Sequence, residues 1–181
     1  MDLILKFQEY INQQNLFHLK DKLLLAVSGG VDSVVLCELC KQSGCDFAIT
    51  HCNFQLRGED SNRDEQFVAQ LAKKYNAVLY SKKFETKVFA AKEKKSIEET
   101  ARDLRYAWFE ELRAENGYTY IVTAHHANDN IETVLMNFFR GTGIKGLHGI
   151  LTKRDKIVRP LLFATKKEIE KNNLGQDLPF L

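Results

Sequence analysis

A short glycine-containing segment, residues 28–33, has the residue types that bind phosphate. It reads Ser-Gly-Gly-Val-Asp-Ser and lies between an apolar run, residues 23–27, and a helical pattern. Two adjacent glycines let the backbone turn sharply and approach a ligand, and amides at a helix start attract anions. A plain strand-to-helix turn could also use Gly-Gly, but the complete hexapeptide favours a phosphate cradle. No lysine follows the glycines, so this is not a Walker A loop. The candidate phosphate-binding residues are Ser28, Gly29, Gly30, Val31, Asp32 and Ser33.

Asp32 places a negative charge inside this cradle, where it would repel phosphate. The charge is explained if Mg²⁺ lies between the carboxylate and the phosphates. Mg²⁺ prefers oxygen ligands and is usually held by one or two carboxylates together with substrate phosphates. We therefore predict that Asp32 is a metal ligand.

A pair of carboxylates follows a second apolar segment. Residues 125–133 read His-His-Ala-Asn-Asp-Asn-Ile-Glu-Thr, so Asp129 and Glu132 share one face of a predicted helix. Met136 and Phe139 continue this face, which indicates that the acids lie at a cleft edge. Acids in a first helical turn can simply complement the helix dipole. Their position after a strand, like that of the cradle, favours a site for Mg²⁺ or a substrate ammonium group.

Two further clusters allow a functional and a structural interpretation. Cys37 and Cys40 have the spacing of a zinc or redox motif, but they lie in an apolar helical pattern where cysteine behaves as a small hydrophobe. A group of lysines is interleaved with Phe84 and Phe89 and could bind RNA, although a solvated surface is the more usual role. These lysines are Lys82, Lys83, Lys87, Lys92, Lys94 and Lys95.

Strand and helix patterns alternate along the chain. The predicted strands are 23–27, 47–52, 77–80, 120–124 and 157–161. The predicted helices are 3–14, 33–41, 64–75 and 129–139. A further helix is opened by a capping box at 96–99 and closed at 116–117, and a last helix starts at 165–171. Residues 53–61 and 141–149 are predicted loops. The alternation predicts an α/β fold, a doubly wound, mostly parallel five-stranded sheet with helices on both faces. Both motifs fall at the carboxyl ends of strands, where such folds bind ligands.

Length and composition limit the classes of protein that remain. The 181 residues, 44% hydrophobic and 28% charged, fit one globular domain. No apolar run is long enough to span a bilayer, and no secretory signal opens the chain, so we expect no membrane partner and a cytoplasmic location. The net charge of +2 neither requires nor excludes nucleic acid.

The hexapeptide resembles the PP-loop of the ATP pyrophosphatases, which cleave ATP between the α and β phosphates and hold pyrophosphate on this loop. Residues 125–133 further resemble the His-His-x-Asp-Asp-x-x-Glu-Thr motif of the tRNA(Ile)-lysidine synthetase family, with Asn128 in place of the first aspartate. The family's Arg-Gly-[Ser/Thr]-Gly-x-x-Gly-Leu motif matches residues 140–147. Weaker matches occur at 51–57, where His51, Asn53 and Arg57 agree, and at 101–106, 159–162 and 167–169.

This resemblance implies a ligase that forms a C–N bond. ATP would adenylate carbon 2 of the wobble cytidine in an isoleucine tRNA with a CAU anticodon, and the ε-amine of L-lysine would then displace AMP. The implied catalytic residues are Asp32, Asp129, Glu132, Arg105 and Arg140, with one arginine stabilising the phosphorane charge. His51, Asn53 and His126 would join the cradle in binding ATP, and Asp32 and Asp129 would hold Mg²⁺.

Other assignments stay open at this point. The chain could be another PP-loop enzyme, such as a tRNA thiolase or an amide ligase, or a nucleotide-binding fragment without activity. Compared with the family, residues 1–181 are expected to form a single PP-loop domain that is incomplete at its C-terminus and lacks the tRNA-binding C-terminal domains. The sequence leaves a homodimer open.

Overall fold

The computed structural model describes residues 2–141 and 148–176. The helices are α1 (Leu3–Gln13), α2 (Val31–Gln42), α3 (Glu59–Tyr75), α4 (Thr86–Glu93), α5 (Ile97–Glu115), α6 (Ala127–Phe139) and α7 (Lys166–Gln176). The strands are β1 (Lys22–Ala26), β2 (Asp46–Asn53), β3 (Leu79–Lys83), β4 (Tyr120–Val122), β5 (Lys153–Arg154) and β6 (Ile157–Val158). Most of the predicted loop 141–149, with the glycine motif inside it, lies outside the described residues.

The strands form one sheet in the order β3-β2-β1-β4-β6-β5. Every neighbouring pair is parallel except β5 with β6. The predicted doubly wound, mostly parallel sheet is therefore confirmed, with six strands in the described residues instead of five. The additional strand, β5, is a two-residue charged edge joined to β6 by a tight turn in which Asp155 has φ 53°. It carries no apolar alternation that the sequence could reveal.

Alternate residues of β1 face opposite layers of helices. Leu23 and Leu25 pack in a core with α1, α2, α3 and α7, whereas Leu24 packs with α5. This two-sided burial explains why the strand reads as a continuous apolar run. Cys37 and Cys40 are fully buried in the first core, which confirms their interpretation as small hydrophobes.

Some helix boundaries differ from the prediction. Helix α4 was not predicted, because only two of its side chains, Thr86 and Ala90, are buried and the rest of its sequence is rich in lysine. Helix α3 begins at Glu59, so the predicted loop 53–61 is shorter than expected. At α5, Ser96 Oγ accepts a hydrogen bond from Glu99 N at 3.1 Å, which is one of the two bonds of the predicted capping box.

Among the described residues, no helix combines the length and the apolar character needed to cross a membrane.

Candidate active site

A cleft of about 310 Å³ opens at the carboxyl ends of β1, β2 and β4. Strand β1 has β2 on one side and β4 on the other, so the connections after β1 and β4 diverge at this point. Such a switch point is where open α/β sheets bind ligands. Both predicted motifs meet here. The cleft is lined by Ser28, Asp32, Phe54, Arg105, His125 and Asp129, among others.

The predicted phosphate cradle lies between β1 and α2. Gly29 has φ 100°, a conformation that side chains other than glycine rarely adopt. Ser33 Oγ accepts a hydrogen bond from Gly29 N at 3.2 Å and donates one to Gly30 O at 2.8 Å, which fixes the turn. Gly30 is the N-cap of α2 and supplies no side-chain cap, so the first amides of the helix point to the cleft as an anion site.

Asp32 lies in the first turn of α2 and faces the cleft. One carboxylate oxygen, Oδ1, is buried without a hydrogen-bond partner among the described residues. The other, Oδ2, lies 3.7 Å from His126 Nε2. A buried carboxylate oxygen without a partner is costly, so this geometry suits a group that binds a ligand.

His126 and Asp129 cap the start of α6 reciprocally. His126 N donates to Asp129 Oδ2 at 2.9 Å, and Asp129 N donates to His126 Nδ1 at 3.4 Å. The other ring nitrogen, Nε2, faces Asp32. The imidazole therefore contacts both predicted metal ligands, and Asp129 has a structural role in addition to the predicted chemical one.

Two other predicted ATP-binding residues, His51 and Asn53, are buried on β2 and line a smaller cavity of about 220 Å³ beside the cleft. His51 Nδ1 donates to Val27 O at 2.8 Å and so ties β2 to the cradle. The Asn53 side chain donates to Glu65 and to Ser61 O, at 2.9 and 3.2 Å, and accepts from the backbone after β2. The smaller cavity shares Ser28 and Arg105 with the cleft, and direct contact of His51 and Asn53 with ATP stays a prediction.

The two predicted arginines lie far apart. Arg105 lines the cleft, and its guanidinium lies 5.2 Å from the centre of the Phe54 ring. Arg140 is the C-cap of α6, at the opposite end of the helix from Asp129, and is exposed. The structure thus brings Arg105, but not Arg140, to the cleft.

A second cavity of about 420 Å³ adjoins the first and contains Glu132. Asp129 and His125 line both cavities. The wall of the second cavity also includes three arginines, so carboxylates and guanidinium groups line the same space. These arginines are Arg102, Arg154 and Arg159.

Arg159 and His125 lie in motifs that match the family, but neither was among the predicted site residues. Arg159 is only 8% exposed, its guanidinium donates to Leu151 O at 2.7 Å, and its Nε has no partner within the described ranges. Burial lowers the pKa of Arg159, and burial together with the charge of Arg159 lowers the pKa of His125, which is therefore neutral near pH 7. The signal in the sequence that could have identified Arg159 is its charge inside the apolar segment 157–162.

The residues at the cleft fit Mg²⁺ shared with a ligand. Within residues 2–141 and 148–176, no group of three or more His, Cys, Asp or Glu side chains forms a metal site of its own. Asp32 and Asp129 supply two carboxylates, and Mg²⁺ commonly completes its coordination with substrate phosphates and water. The unpartnered oxygen of Asp32 is consistent with this use.

A family model described as a PP-loop domain matches residues 2–181. The chain is 48% identical over 170 residues to the tRNA(Ile)-lysidine synthase of Bacteroides thetaiotaomicron, covering 93% of this chain and 40% of that protein. It is 46% identical over 168 residues to the same-named protein of Chlorobaculum tepidum, covering 91% of this chain and 51% of that one. The chain therefore spans about half or less of the length of these curated relatives.

Solved structures share the fold at low sequence identity. The U34-tRNA thiolase NcsA from Methanococcus maripaludis superposes with a TM-score of 0.80 at 16% identity, covering 98% of this chain and 64% of that one. The NH3-dependent NAD synthetase from Campylobacter jejuni gives a TM-score of 0.68 at 14% identity, covering 98% and 75%.

Proposed function

The chain belongs to the family of PP-loop domains, and we propose that it catalyses ATP-dependent ligation of L-lysine to the wobble cytidine of an isoleucine tRNA with a CAU anticodon. The observation that carries the proposal is the meeting of the Ser28–Ser33 cradle, Asp32 and Asp129 at one cleft. The identity of 46–48% to proteins named tRNA(Ile)-lysidine synthase supports this substrate choice. A tRNA substrate implies a cytoplasmic location.

The first step is adenylation of the base. The oxygen on carbon 2 of the cytidine attacks the α-phosphorus of ATP, and the bond from that phosphorus to the β-phosphate oxygen breaks, releasing diphosphate. The amides at the start of α2 hold the leaving diphosphate, and Arg105 faces the charge that develops on the α-phosphate. These groups are fixed before the ligand arrives, since the cradle turn is held by its own hydrogen bonds.

Asp32 and Asp129 would hold Mg²⁺ against the phosphates. When bound, the ion would neutralise phosphate charge that the carboxylates would otherwise repel. His126 positions both carboxylates through its two ring nitrogens.

The second step is attack by lysine. The neutral ε-amine attacks carbon 2, the bond from carbon 2 to the adenylated oxygen breaks, and AMP leaves with that oxygen. The second cavity suits lysine, because Glu132 and Asp129 can attract its ammonium groups while Arg159 can bind its carboxylate. His125, neutral near pH 7 and shared by both cavities, can accept the proton that the ammonium must lose.

A tRNA thiolase is the main alternative within the same fold. Of the four cysteines, only Cys52 lines the cleft, and burial raises the pKa of its thiol to about 12. A thiol that stays protonated is a weak nucleophile and a weak metal ligand. This environment disfavours sulfur transfer.

An AMP-release assay across amino acids and tRNA transcripts tests the proposal. We expect AMP release to require ATP, lysine and a transcript with a CAU anticodon together. Release that depends on tRNA and a sulfur donor would instead identify a thiolase. ATP binding without AMP release under any combination would indicate a nucleotide-binding module.

A further inference from the structure

The positive charge of this chain is concentrated in one short segment. Residues 82–95 contain six lysines and two glutamates, which gives the segment a charge of +4. The whole chain carries only +2, so the remaining residues together carry −2. A local excess of this kind attracts a polyanion even when the net charge of the protein is small.

Four of these lysines are available to a partner. Lys83 lies 3.5 Å from Glu65, and Lys95 is paired with Asp103 at 2.7 Å. The other four are exposed, and no ion pair joins them to a carboxylate in the part of the chain that the structure describes. We call them the lysine ridge: Lys82, Lys87, Lys92 and Lys94.

One member of the lysine ridge, Lys82, lies next to the residues of the cleft wall. The carboxyl end of β3 lies beside the carboxyl end of β2 in the parallel register, at the edge where ATP is proposed to bind. Lys82 Nζ lies 5.5 Å from the centre of the Phe84 ring, which stacks on Phe54 at 5.5 Å. The Phe54 ring in turn contacts the guanidinium of Arg105, a residue of the cleft wall. A row of contacts thus connects Lys82, one member of the ridge, with the cleft.

Apolar side chains are exposed among the lysines. On α4, Thr86 and Ala90 face inward, while Val88 is 63% and Phe89 42% exposed. Exposed rings between cationic side chains are typical of surfaces that bind single-stranded nucleic acid, because bases stack on the rings while the lysines contact phosphates.

We propose that the lysine ridge, with Phe89, binds the backbone and loop bases of the RNA substrate beside the nucleotide to be modified. This inference rests on the proposed function for the identity of the RNA, but the surface can be tested without catalysis. Its continuity with the cleft favours RNA, which must enter the cleft, over an acidic protein or an anionic membrane, which need not approach it.

Two charge-matched variants test the ridge. The first is Lys82→Gln/Lys87→Gln/Lys92→Gln/Lys94→Gln. The control, Lys20→Gln/Lys22→Gln/Lys73→Gln/Lys74→Gln, removes four exposed lysines away from the carboxyl ends of the strands, at the start of β1 and at the end of α3. Binding of a fluorescently labelled hairpin RNA with a CAU loop is measured by anisotropy over a salt series. Circular dichroism and ATP binding verify that each variant is folded.

We expect the ridge variant to bind RNA at least tenfold more weakly than the wild type at low salt. Its slope of log affinity against log salt should be shallower by about 3–4, because each of the four lost phosphate contacts contributes roughly 0.7–0.9. The control should stay within about threefold of the wild type.

Equal weakening in both variants, unchanged binding in the ridge variant, or no RNA binding by the wild type would each overturn the proposal. Ridge-dependent binding to phosphatidylserine vesicles in place of RNA would also overturn the proposal.

Failure of the RNA-binding proposal and failure of the proposed ligase function give different results. Lysine-dependent AMP release that the ridge variant retains at full efficiency contradicts the ridge alone. Ridge-dependent RNA binding without any such release contradicts the proposed ligase activity alone.

Discussion

Asp32 occupies an unusual position for a single residue, because it adds a carboxylate to a site built for anions. Its neighbours do not satisfy it: within the described residues, one oxygen has no hydrogen-bond partner and the other lies 3.7 Å from His126 Nε2. A group of this kind is retained for what it binds and not for what it contributes to folding.

We expect Asp32→Ala to abolish adenylation while the protein stays folded. If Asp32 holds Mg²⁺ as proposed, loss of its carboxylate removes the charge that would bind the ion, and the rate should fall by at least about a hundredfold. ATP–pyrophosphate exchange measures this step, with Asp32→Asn as the variant that keeps the shape of the side chain. Normal turnover by soluble Asp32→Ala would remove Asp32 from the metal site.

We expect Glu132→Gln to impair the use of lysine more than the use of ATP. Glu132 lines the second cavity and not the cleft, so in the proposed mechanism its charge would act on the ammonium of lysine. Removal of one charged partner should cost about 2–3 kcal/mol, which raises the KM for lysine roughly a hundredfold. Steady-state kinetics in each substrate separate the effects. An unchanged lysine KM with lost diphosphate formation would assign Glu132 to the metal.

Among the elements, α6 depends on a close approach of the chain that follows it. Gly149 has φ 61°, and a Cβ there would lie 2.2 Å from Asn130 Oδ1 and 2.9 Å from Val134 Cγ2. Asn130 Oδ1 also accepts a hydrogen bond from Ile150 N at 2.6 Å. The second cavity is lined from both sides of this contact.

We expect Gly149→Ala to destabilise the protein by about 1–3 kcal/mol and to weaken lysine binding, because the added methyl group must displace α6 or the segment after it. Gly44→Ala is the matched control, since Gly44 has φ 73° but has open space around it. Urea denaturation gives both free energies of unfolding. Equal losses would show that backbone conformation alone is responsible.

Helices α1 and α7 are joined by an ion pair that predicts a pH dependence. Lys6 Nζ donates to Glu168 at 2.8 Å, and Lys6 and Thr165 together lower the pKa of Glu168 to about 2. Because the pKa is lowered in the folded state, this stabilisation is present above about pH 4.5 and is lost as the pH falls towards 2.

We expect Glu168→Gln to be less stable than the wild type at pH 7 and to converge with it near pH 2. Both side chains of the pair are more than a third exposed, so solvent screening should limit the difference to less than about 1 kcal/mol. Free energies of unfolding across this pH range provide the measurement. A difference between the two proteins that does not change with pH would contradict this account of the ion pair.

The sequence predicted those elements and residues whose signal is local. The apolar run of β1 and the hexapeptide after it identified the central strand and the cradle. Helix α4 escaped prediction because its stability comes from packing on α5 and not from its own apolar pattern. Arg159 escaped as a site residue because its importance comes from burial beside Arg102 and His125, which only the folded chain brings together.

For the whole molecule, the cradle turn is held by its own hydrogen bonds, so we expect ATP to bind to a preformed site. We expect ATP with Mg²⁺ to raise the melting temperature of the 181-residue chain. At a hundred times Kd the stabilisation is about 2.7 kcal/mol, or roughly 5–10 °C for a domain of this size. Differential scanning fluorimetry measures the shift, with Asp32→Asn as the control in which it should shrink. No shift at millimolar ATP would contradict a working nucleotide site.

The position of β1 at the centre of the sheet has a consequence for synthesis of the chain. Strands β2 and β3 are synthesised soon after β1. The other neighbour of β1 is β4, which follows Thr119, and Thr119 contacts Lys22 at a sequence separation of 97 residues. At about 5–20 residues per second, the ribosome needs roughly 5–20 s to supply it. During that interval one edge of β1 has no strand beside it, and an unpaired apolar edge is a template for aggregation. We therefore expect the nascent chain to need chaperone protection between the synthesis of β1 and the docking of β4.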